Sequence, residues 1–265
     1  MKEITIAILS HNRSFLLTQA VGSIRQFTRY PYRILIHDNA SDENHKEHIA
    51  QLAADDCSII WSDKFYSCVQ GRREFLRYVE TERLVYMDDD EKVGPKWLTN
   101  MVAVMNRFNC GAVVGNLVHD DGRTYSGARM VRGREILVKP IEYRGQCDAA
   151  AGGCTLYDRD VLDATEYRPE FSGGFEDWDQ TLQITRDLGR TIYASPAVFF
   201  HNHGPLDHDY YVDRWRYTEV MDAAVGIWKR WRIKTAVTNT AAEMLKRGVP
   251  FTKEQADVFS GVMSL

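Results

Sequence analysis

Short apolar runs and amphipathic stretches alternate over the first 115 residues. ITIAIL (4–9), RILIH (33–37), CSIIW (57–61), RLVYM (83–87) and GAVVG (111–115) each have the length and apolar character of a strand buried on both faces. Between the first two, residues 14–27 place Leu17, Ala20, Val21, Ile24 and Phe27 on one helical face. Residues 95–108 open with Pro95 and do the same with Leu98, Met101, Val102, Met105 and Phe108. Strands alternating with helices predict βαβ crossovers and a largely parallel sheet. Right-handed crossovers gather the strand ends on one edge, where open α/β sheets bind their ligands.

The regularity ends near residue 116. Residues 116–146 carry Arg123, Arg129, Arg132, Arg134, Lys139 and Arg144 and predict a long, partly ordered loop region of basic bias. Beyond it, GGCTLYD (152–158) predicts a strand, 176–188 a helix, and TIYA with VFF (191–200) a strand broken at Pro196. Near the C-terminus Tyr217, Met221, Ala224, Val225, Trp228 and Trp231 recur at helical spacing, and Thr252 with Gln255 makes a capping-box pattern. These features predict a helical extension packed on the preceding core.

Composition narrows the class. With 265 residues, 44% hydrophobic, 26% charged and a formal charge of −4, the chain has the makeup of a large globular α/β domain, not of a disordered, collagen-like or coiled-coil protein. No apolar run approaches the ~18–20 residues of a membrane span, and the first run breaks too early for a signal-peptide core, so a cytoplasmic location is expected, with peripheral attachment to the inner membrane face as the variant. Cys57, Cys68, Cys110, Cys147 and Cys154 contain no CxxC pair, a set that fits reduced, mostly buried thiols. The charge balance gives no support for bulk nucleic-acid binding.

The residues after the first strand are Ser10-His11-Asn12-Arg13. They contain no GxGxxG, and the chain has no GK[ST], so phosphate must be held without a glycine-rich helix start. A metal ion is the natural substitute. Asp88-Asp89-Asp90 follows the RLVYM strand directly, placing three carboxylates where a buried strand emerges at the ligand edge. Such crowding is costly unless a cation neutralises it, and Mg2+ or Mn2+ takes carboxylate and phosphate oxygens. Asp38 and Asn39 follow the second strand in the same way, although taken alone the stretch through Asp42 suits a turn or helix cap better. Glu176 and Asp177 open a helix after Gly173-Gly174, a position suited to a general base and also to plain helix capping. His201-Asn202-His203 follows VFF and would complete a mixed oxygen and nitrogen metal site.

In their order and spacing these motifs, together with GGCTLYDRDVL at 152–162, resemble the GT-A glycosyltransferases, most closely the inverting family 2, over about residues 3–205. The resemblance implies a GT-A (nucleotide-diphospho-sugar transferase) α/β fold: a mostly parallel Rossmann-like sheet flanked by helices. It implies a glycosyltransferase domain over 1–205, with a nucleotide-binding half at 1–115 and an acceptor half at 116–205, then a C-terminal helical extension over 206–265. It further implies metal-dependent, inverting transfer of a sugar from a nucleoside-diphosphate sugar, most often UDP-linked, using Mn2+ or Mg2+. Position by position, Asp38 would bind the base of the nucleotide and Asp88 its ribose. Asp90 would hold the metal, with His201, or His203 second, as the additional contact. Asp177 would be the catalytic base, supported by Glu176. Ser10, Asn12, Arg13, Asn39, Gly71, Arg72 and Asp89 would complete the nucleotide-sugar site.

The chain departs from the family in two places. Gln183 and Arg186 give a QxxR that resembles the QxxRW of processive members, but Asp187 follows and no membrane span accompanies it, so the enzyme is read as non-processive. FYSCVQGRRE (65–74) lacks the asparagines often found there, which leaves the donor open. A catalytically degenerate sugar-nucleotide-binding module is the alternative, followed by a sugar-1-phosphate nucleotidyltransferase, whose opening glycine-rich loop is missing here. The acceptor is unassigned: a saccharide, lipid-linked saccharide, protein or modified nucleic acid. Arg132-Gly133-Arg134 and Lys229-Arg230-Trp231-Arg232 are candidate contacts for an anionic one, although solvated positive faces are the simpler reading. Tyr210, Tyr211, Trp215, Trp228 and Trp231 suit core packing, or a homodimer through the C-terminal helices, before sugar or base stacking.

Overall fold

In the computed structural model, the residues described are 2–118, 124–125, 127–132, 136–141, 145–150, 153–172, 174–201 and 217–263. The first half follows the expected alternation: β1 (Ile4–Ser10), α1 (Ser14–Phe27), β2 (Tyr32–Asn39), α2 (Glu43–Ala50), β3 (Cys57–Ser62), α3 (Cys68–Phe75), β4 (Arg83–Asp88), β5 (Glu91–Val93), α4 (Trp97–Phe108) and β6 (Ala112–Val118). The second half adds β7 (Thr124–Tyr125), β8 (Gly127–Arg132), β9 (Ile136–Ile141), β10 (Gly145–Cys147), β11 (Ala149–Ala150), β12 (Cys154–Asp158), α5 (Arg159–Asp163), α6 (Glu176–Leu182) and β13 (Ile192–His201). The C-terminal helices are α7 (Tyr217–Trp231), α8 (Lys234–Arg247) and α9 (Lys253–Met263).

The main sheet has the order β10-β13-β6-β12-β4-β1-β2-β3. β1 is parallel to β2 and β4, and β2 to β3, as the crossovers require. Period-two alternation divides β1 between two cores. Ile4, Ile6 and Ile8 meet Leu17, Val21, Ile24, Trp97 and Met101, whereas Ala7 lies in a second cluster with Leu35, Phe75, Tyr86 and Ile184. Each fully buried side chain of this size contributes roughly 1.5–3 kcal/mol.

Three expectations are corrected. The sheet is mixed at its centre, because β12 runs antiparallel to both β4 and β6. This reversal brings Cys154, at the start of β12, beside Met87, at the edge where β1, β2 and β4 end. Within 116–146, β8 pairs with β9 and β11 in a second, antiparallel sheet. The Ile136-Leu137-Val138 run supplies strand propensity that the basic residues around it concealed. Pro196 does not break its strand: β13 continues through it, with the pairing to β6 shifting register between Ala194 and Val198. A bulge absorbs the missing N–H of proline.

The C-terminal helices pack against the preceding chain. Met221, Ala224, Val225, Trp231, Val237, Met244 and Val262 form one apolar cluster with Ala149, Phe171 and Leu182 of the preceding chain. Thr252 and Gln255 make a reciprocal capping box at the start of α9, with Thr252 N donating to Gln255 Oε1 at 2.9 Å and Gln255 N to Thr252 Oγ1 at 3.3 Å. All five cysteines are free thiols, four of them buried and Cys68 half-buried. Among the described residues no helix is long and apolar enough to cross a membrane.

Candidate active site

Three strands end level with one another. Ser10 lies beside Asp38 and Leu9 beside Asp88, so the residues after β1, β2 and β4 emerge together. The first two loops are laced to each other. Asn12 N donates to Ser41 Oγ at 2.9 Å, Asp42 N donates to Asn12 Oδ1 at 2.8 Å, and Asn12 Nδ2 donates to Asp42 Oδ2 at 3.2 Å. Asn12 and Ala40 hold left-handed φ values of 52° and 60° to make these turns. Asp38 is buried; its Oδ2 accepts from Ser41 N at 3.3 Å, and its Oδ1 has no hydrogen-bond partner among the described residues.

The acidic triplet divides its work. Asp89 points inward, where Ser10 Oγ donates to it at 2.8 Å. Arg13 forks across two carboxylates, Nη1 to Asp89 Oδ1 at 2.8 Å and Nη2 to Asp90 Oδ2 at 2.9 Å. Burial pushes the Asp89 carboxyl up to about 7 against the opposing pull of Arg13. Asp88 is the more open member and receives Arg72 Nη2 at 3.3 Å. The other arm of Arg72, Nη1, stands 3.4 Å from Glu176 Oε1. Burial works against the charge of Arg72, but Cys68, Glu176 and Asp88 hold its pKa well above the usual guanidinium value.

Directly after the triplet, Glu91 is buried on β5 with Oε2 lacking a hydrogen-bond partner among the described residues. Burial, then Asp88 and Asp90, hold its carboxyl well above the usual range. One oxygen each from Asp88, Asp90 and Glu91 lies within 4.8 Å of the others. That is a hard, all-oxygen donor set suited to Mg2+ or Mn2+, and an unsatisfied buried carboxylate oxygen is what such an ion would answer. Asp88 N donates to Gly153 O at 2.9 Å, and a Cβ on Gly153 would stand 2.8 Å from Glu91 Oε1, so only glycine leaves that carboxylate its place. The register of β13 and β5 sets His201 opposite Glu91.

Helix α6 enters through strained backbone. Gly174 and Phe175 have φ of 140° and 63°, and the N-terminal position carries no side-chain cap. Glu176 and Asp177 occupy the first turn, with Trp178 N donating to Asp177 Oδ1 at 2.7 Å. After Leu182 the helix widens into a π turn, Gln183–Asp187.

Ser10, Arg13, Asp89 and Asp90 thus form one polar network and Arg72, Asp88 and Glu176 a second, with oxygens of Asp88 and Asp90 within 4.8 Å of each other and Asp177 next in sequence to Glu176. Other expected residues serve nearby. Both amide atoms of Asn39 bond the backbone of Tyr66, and Gly71 packs so tightly that a Cβ would stand 2.7 Å from Leu9 Cδ2. Gln183 and Arg186 turn away from the edge: Gln183 Nε2 bonds Glu166 O and Asp179, and Arg186 Nη1 bonds Trp231 O at 3.2 Å. His203, Gly173, Gly133, Arg134, Tyr210, Tyr211 and Trp215 lie outside the described residues. Glu91 and Gly153 are additions. A fourth consecutive acid after the triplet was the available signal for Glu91; Gly153 becomes significant only through the reversed β12.

Residues 5–165, more than half of the chain, match the family profile described as "Glycosyl transferase family 2". The chain belongs to glycosyl transferase family 2. Solved structures share the GT-A fold of this family 2 chain. GalNAc-T7, crystallised with UDP, GalNAc and Mn2+, superposes with a TM-score of 0.63 at 16% identity over 84% of this chain and 51% of its own. The mannosyltransferase PcManGT from Pyrobaculum calidifontis, in complex with GDP-Man and Mn2+, gives 0.63 at 12% identity over 98% and 79%. S. aureus TarS 1-349 in complex with UDP-GlcNAc gives 0.61 at 14% identity over 86% and 67%. Among curated proteins, the uncharacterized protein y4gI of Sinorhizobium fredii (strain NBRC 101917 / NGR234) is 27% identical over 131 residues, 43% of this chain. The family 2 chain spans about half of the GalNAc-T7 chain and only 14% of y4gI.

Proposed function

We propose that this family 2 chain is a metal-dependent, inverting, non-processive transferase that moves a sugar from a nucleoside-diphosphate sugar, UDP-linked in the first instance, to an acceptor nucleophile. The observation that carries the reading is Arg72, whose single guanidinium joins Asp88 of the acidic triplet to Glu176 beside Asp177. The donor edge and the base position are therefore parts of one site. The Mn2+ and nucleotide ligands of the fold's solved relatives support the same assignment.

Asp90 would hold the divalent cation, with Asp88 and Glu91 oxygens within reach and His201 opposite Glu91 in register. When bound, the ion supplies positive charge to the donor diphosphate. Asp38 accepts from the base, Asp88 faces the ribose, and Arg13 orients Asp89 and Asp90. Asp177 accepts the acceptor's proton during attack on the anomeric carbon from the face opposite the leaving group, which inverts that centre.

Thermal shift with UDP, GDP, dTDP and CDP sugars, with and without Mn2+, tests the donor site. A ligand at 100 times its Kd stabilises the folded state by about 2.7 kcal/mol. Metal-dependent stabilisation by one nucleotide, lost in Asp90→Ala, is expected. No stabilisation by any of them would favour a degenerate module. Asp177→Asn should bind donor normally and lose transfer; normal transfer by that variant would remove Asp177 from its role.

A further inference from the structure

Asp177 and Asp179 are two residues apart on α6 and so point to opposite sides of the helix. Asp179 is almost fully buried and collects donors from three separate segments. Arg168 Nη1, from the chain before the helix, reaches both its oxygens at 2.9 and 2.8 Å. Gln183 Nε2, from the π turn, reaches Oδ2 at 2.8 Å. The indole Nε1 of Trp231, at the end of α7, reaches Oδ1 at 2.7 Å.

We propose that Asp179 and Trp231 are positioning residues, through which the C-terminal helix α7 sets the orientation of the helix start bearing Glu176 and Asp177. The inference rests on the reading of Asp177 as the base and Glu176 as its support. Helix α6 has seven residues, no side-chain cap and a left-handed entry, and its first turn is tied to the sheet edge by the Arg72–Glu176 ion pair. Asp179 supplies a second constraint, from the opposite side of the helix. Trp231 is itself held by two arginines: the guanidinium carbons of Arg230 and Arg186 stand 4.9 and 5.5 Å from its ring, and Arg186 also bonds its carbonyl. An indole has one N–H and no acceptor, so its bond to Asp179 has a single geometry. A buried carboxylate in this apolar cluster is a poor way to gain stability, since well-packed apolar residues of similar volume usually do as well or better. Its use here is directional.

Trp231→Phe removes the N–H and keeps a ring in place. Two readouts are taken on the full chain: hydrogen–deuterium exchange at residues 174–180, and steady-state kinetics with the donor identified by thermal shift. Faster exchange confined to 174–180 is expected, with kcat reduced ~10- to 100-fold and donor KM unchanged, since small misplacements at a reacting group have effects of that order. Asp179→Asn should give the same pattern, and the double variant should lose no more than the worse single. It also carries the test should Trp231→Phe fail to fold. Lys229→Gln, which removes the exposed Lys229–Glu254 pair from the same helix, serves as the control and should change neither readout. Unchanged exchange at 174–180, or faster exchange with unaltered kcat, overturns the proposal. So does a uniform rise in exchange across the chain. If the wild-type chain turns over no nucleotide sugar, the functional reading fails, and the exchange arm alone decides whether Trp231 orders α6.

Discussion

Replacing Arg13 by Met leaves the Asp89 and Asp90 carboxylates buried without their shared guanidinium. The side chains of Arg13, Asp89 and Asp90 are 9%, 7% and 3% exposed. Removing one partner of a buried ion pair generally costs about 3–5 kcal/mol. At ~2–4 °C per kcal/mol for a chain approaching this size, Tm should fall by roughly 6–20 °C at pH 8. Arg33→Met provides the scale, because the Arg33–Glu3 pair is 51% and 40% exposed and worth at most ~1 kcal/mol. The pH dependence sharpens the test. The folded pKa of Asp89, about 7, lies above its ordinary value of 3.8, so its contribution to stability is full below 3.8 and is lost as pH rises through 7. Without Arg13 to oppose burial, the folded pKa rises further and the loss extends to higher pH. The deficit of Arg13→Met should therefore be smaller at pH 5 than at pH 8, read by urea denaturation of both proteins without metal. A loss equal to that of Arg33→Met at pH 8, or a deficit that grows on acidification, would refute the reasoning.

Gly153→Ala should displace the Glu91 carboxylate and weaken Mn2+ binding ~10-fold by calorimetry; unchanged affinity would mean that this close approach has no bearing on the ion. Thr252→Ala removes half of the capping box at α9 and should cost about 1 kcal/mol in urea denaturation. Burial raises the thiols of Cys57 and Cys110 to about 11, so a thiol reagent at pH 8 should label Cys68 first and the buried cysteines only on unfolding. Because these folded values lie above the unfolded 9.0, the stability the two thiols contribute below pH 9 should be lost as pH rises toward 11, measurable by denaturation at pH 8 and 10.5.

The strands β1, β2, β3, β4 and β6 and the helices α1 and α4 were legible because each carries its own apolar run or period, whereas α2, α3 and β5 are short and polar and escaped. ITIAIL alternates between two cores, and Leu17, Val21 and Ile24 repeat at helical spacing toward one of them. The acidic triplet and Asp38 were legible for the same reason, since a strand followed by carboxylates places those groups at an edge. The other features that escaped depend on pairings between distant residues. Nothing in CTLYD states that β12 runs against β4, yet that reversal carries Gly153 to Asp88. Ile136–Ile141 reads as strand only once Gly127–Arg132 is opposite it. Asp179 looked like one more acid in a helix start; its role appears only when Trp231, 52 residues later, is set beside it.

The wide turn at Gln183–Asp187 holds one residue more than an α-helix would need for the same path, with Leu188 N returning to Gln183 O at 3.0 Å. Length change and side-chain change should therefore have different consequences in this segment. Deleting a single residue there lets the helix revert to ordinary winding, leaving α6 and the chain beyond the turn on the same path. A side-chain change in the turn acts instead on its own contact, Arg186 on Trp231 or Ile184 on the cluster it shares with Ala7 and Tyr86. The surplus residue thus gives the segment slack in its length that its side-chain contacts do not share.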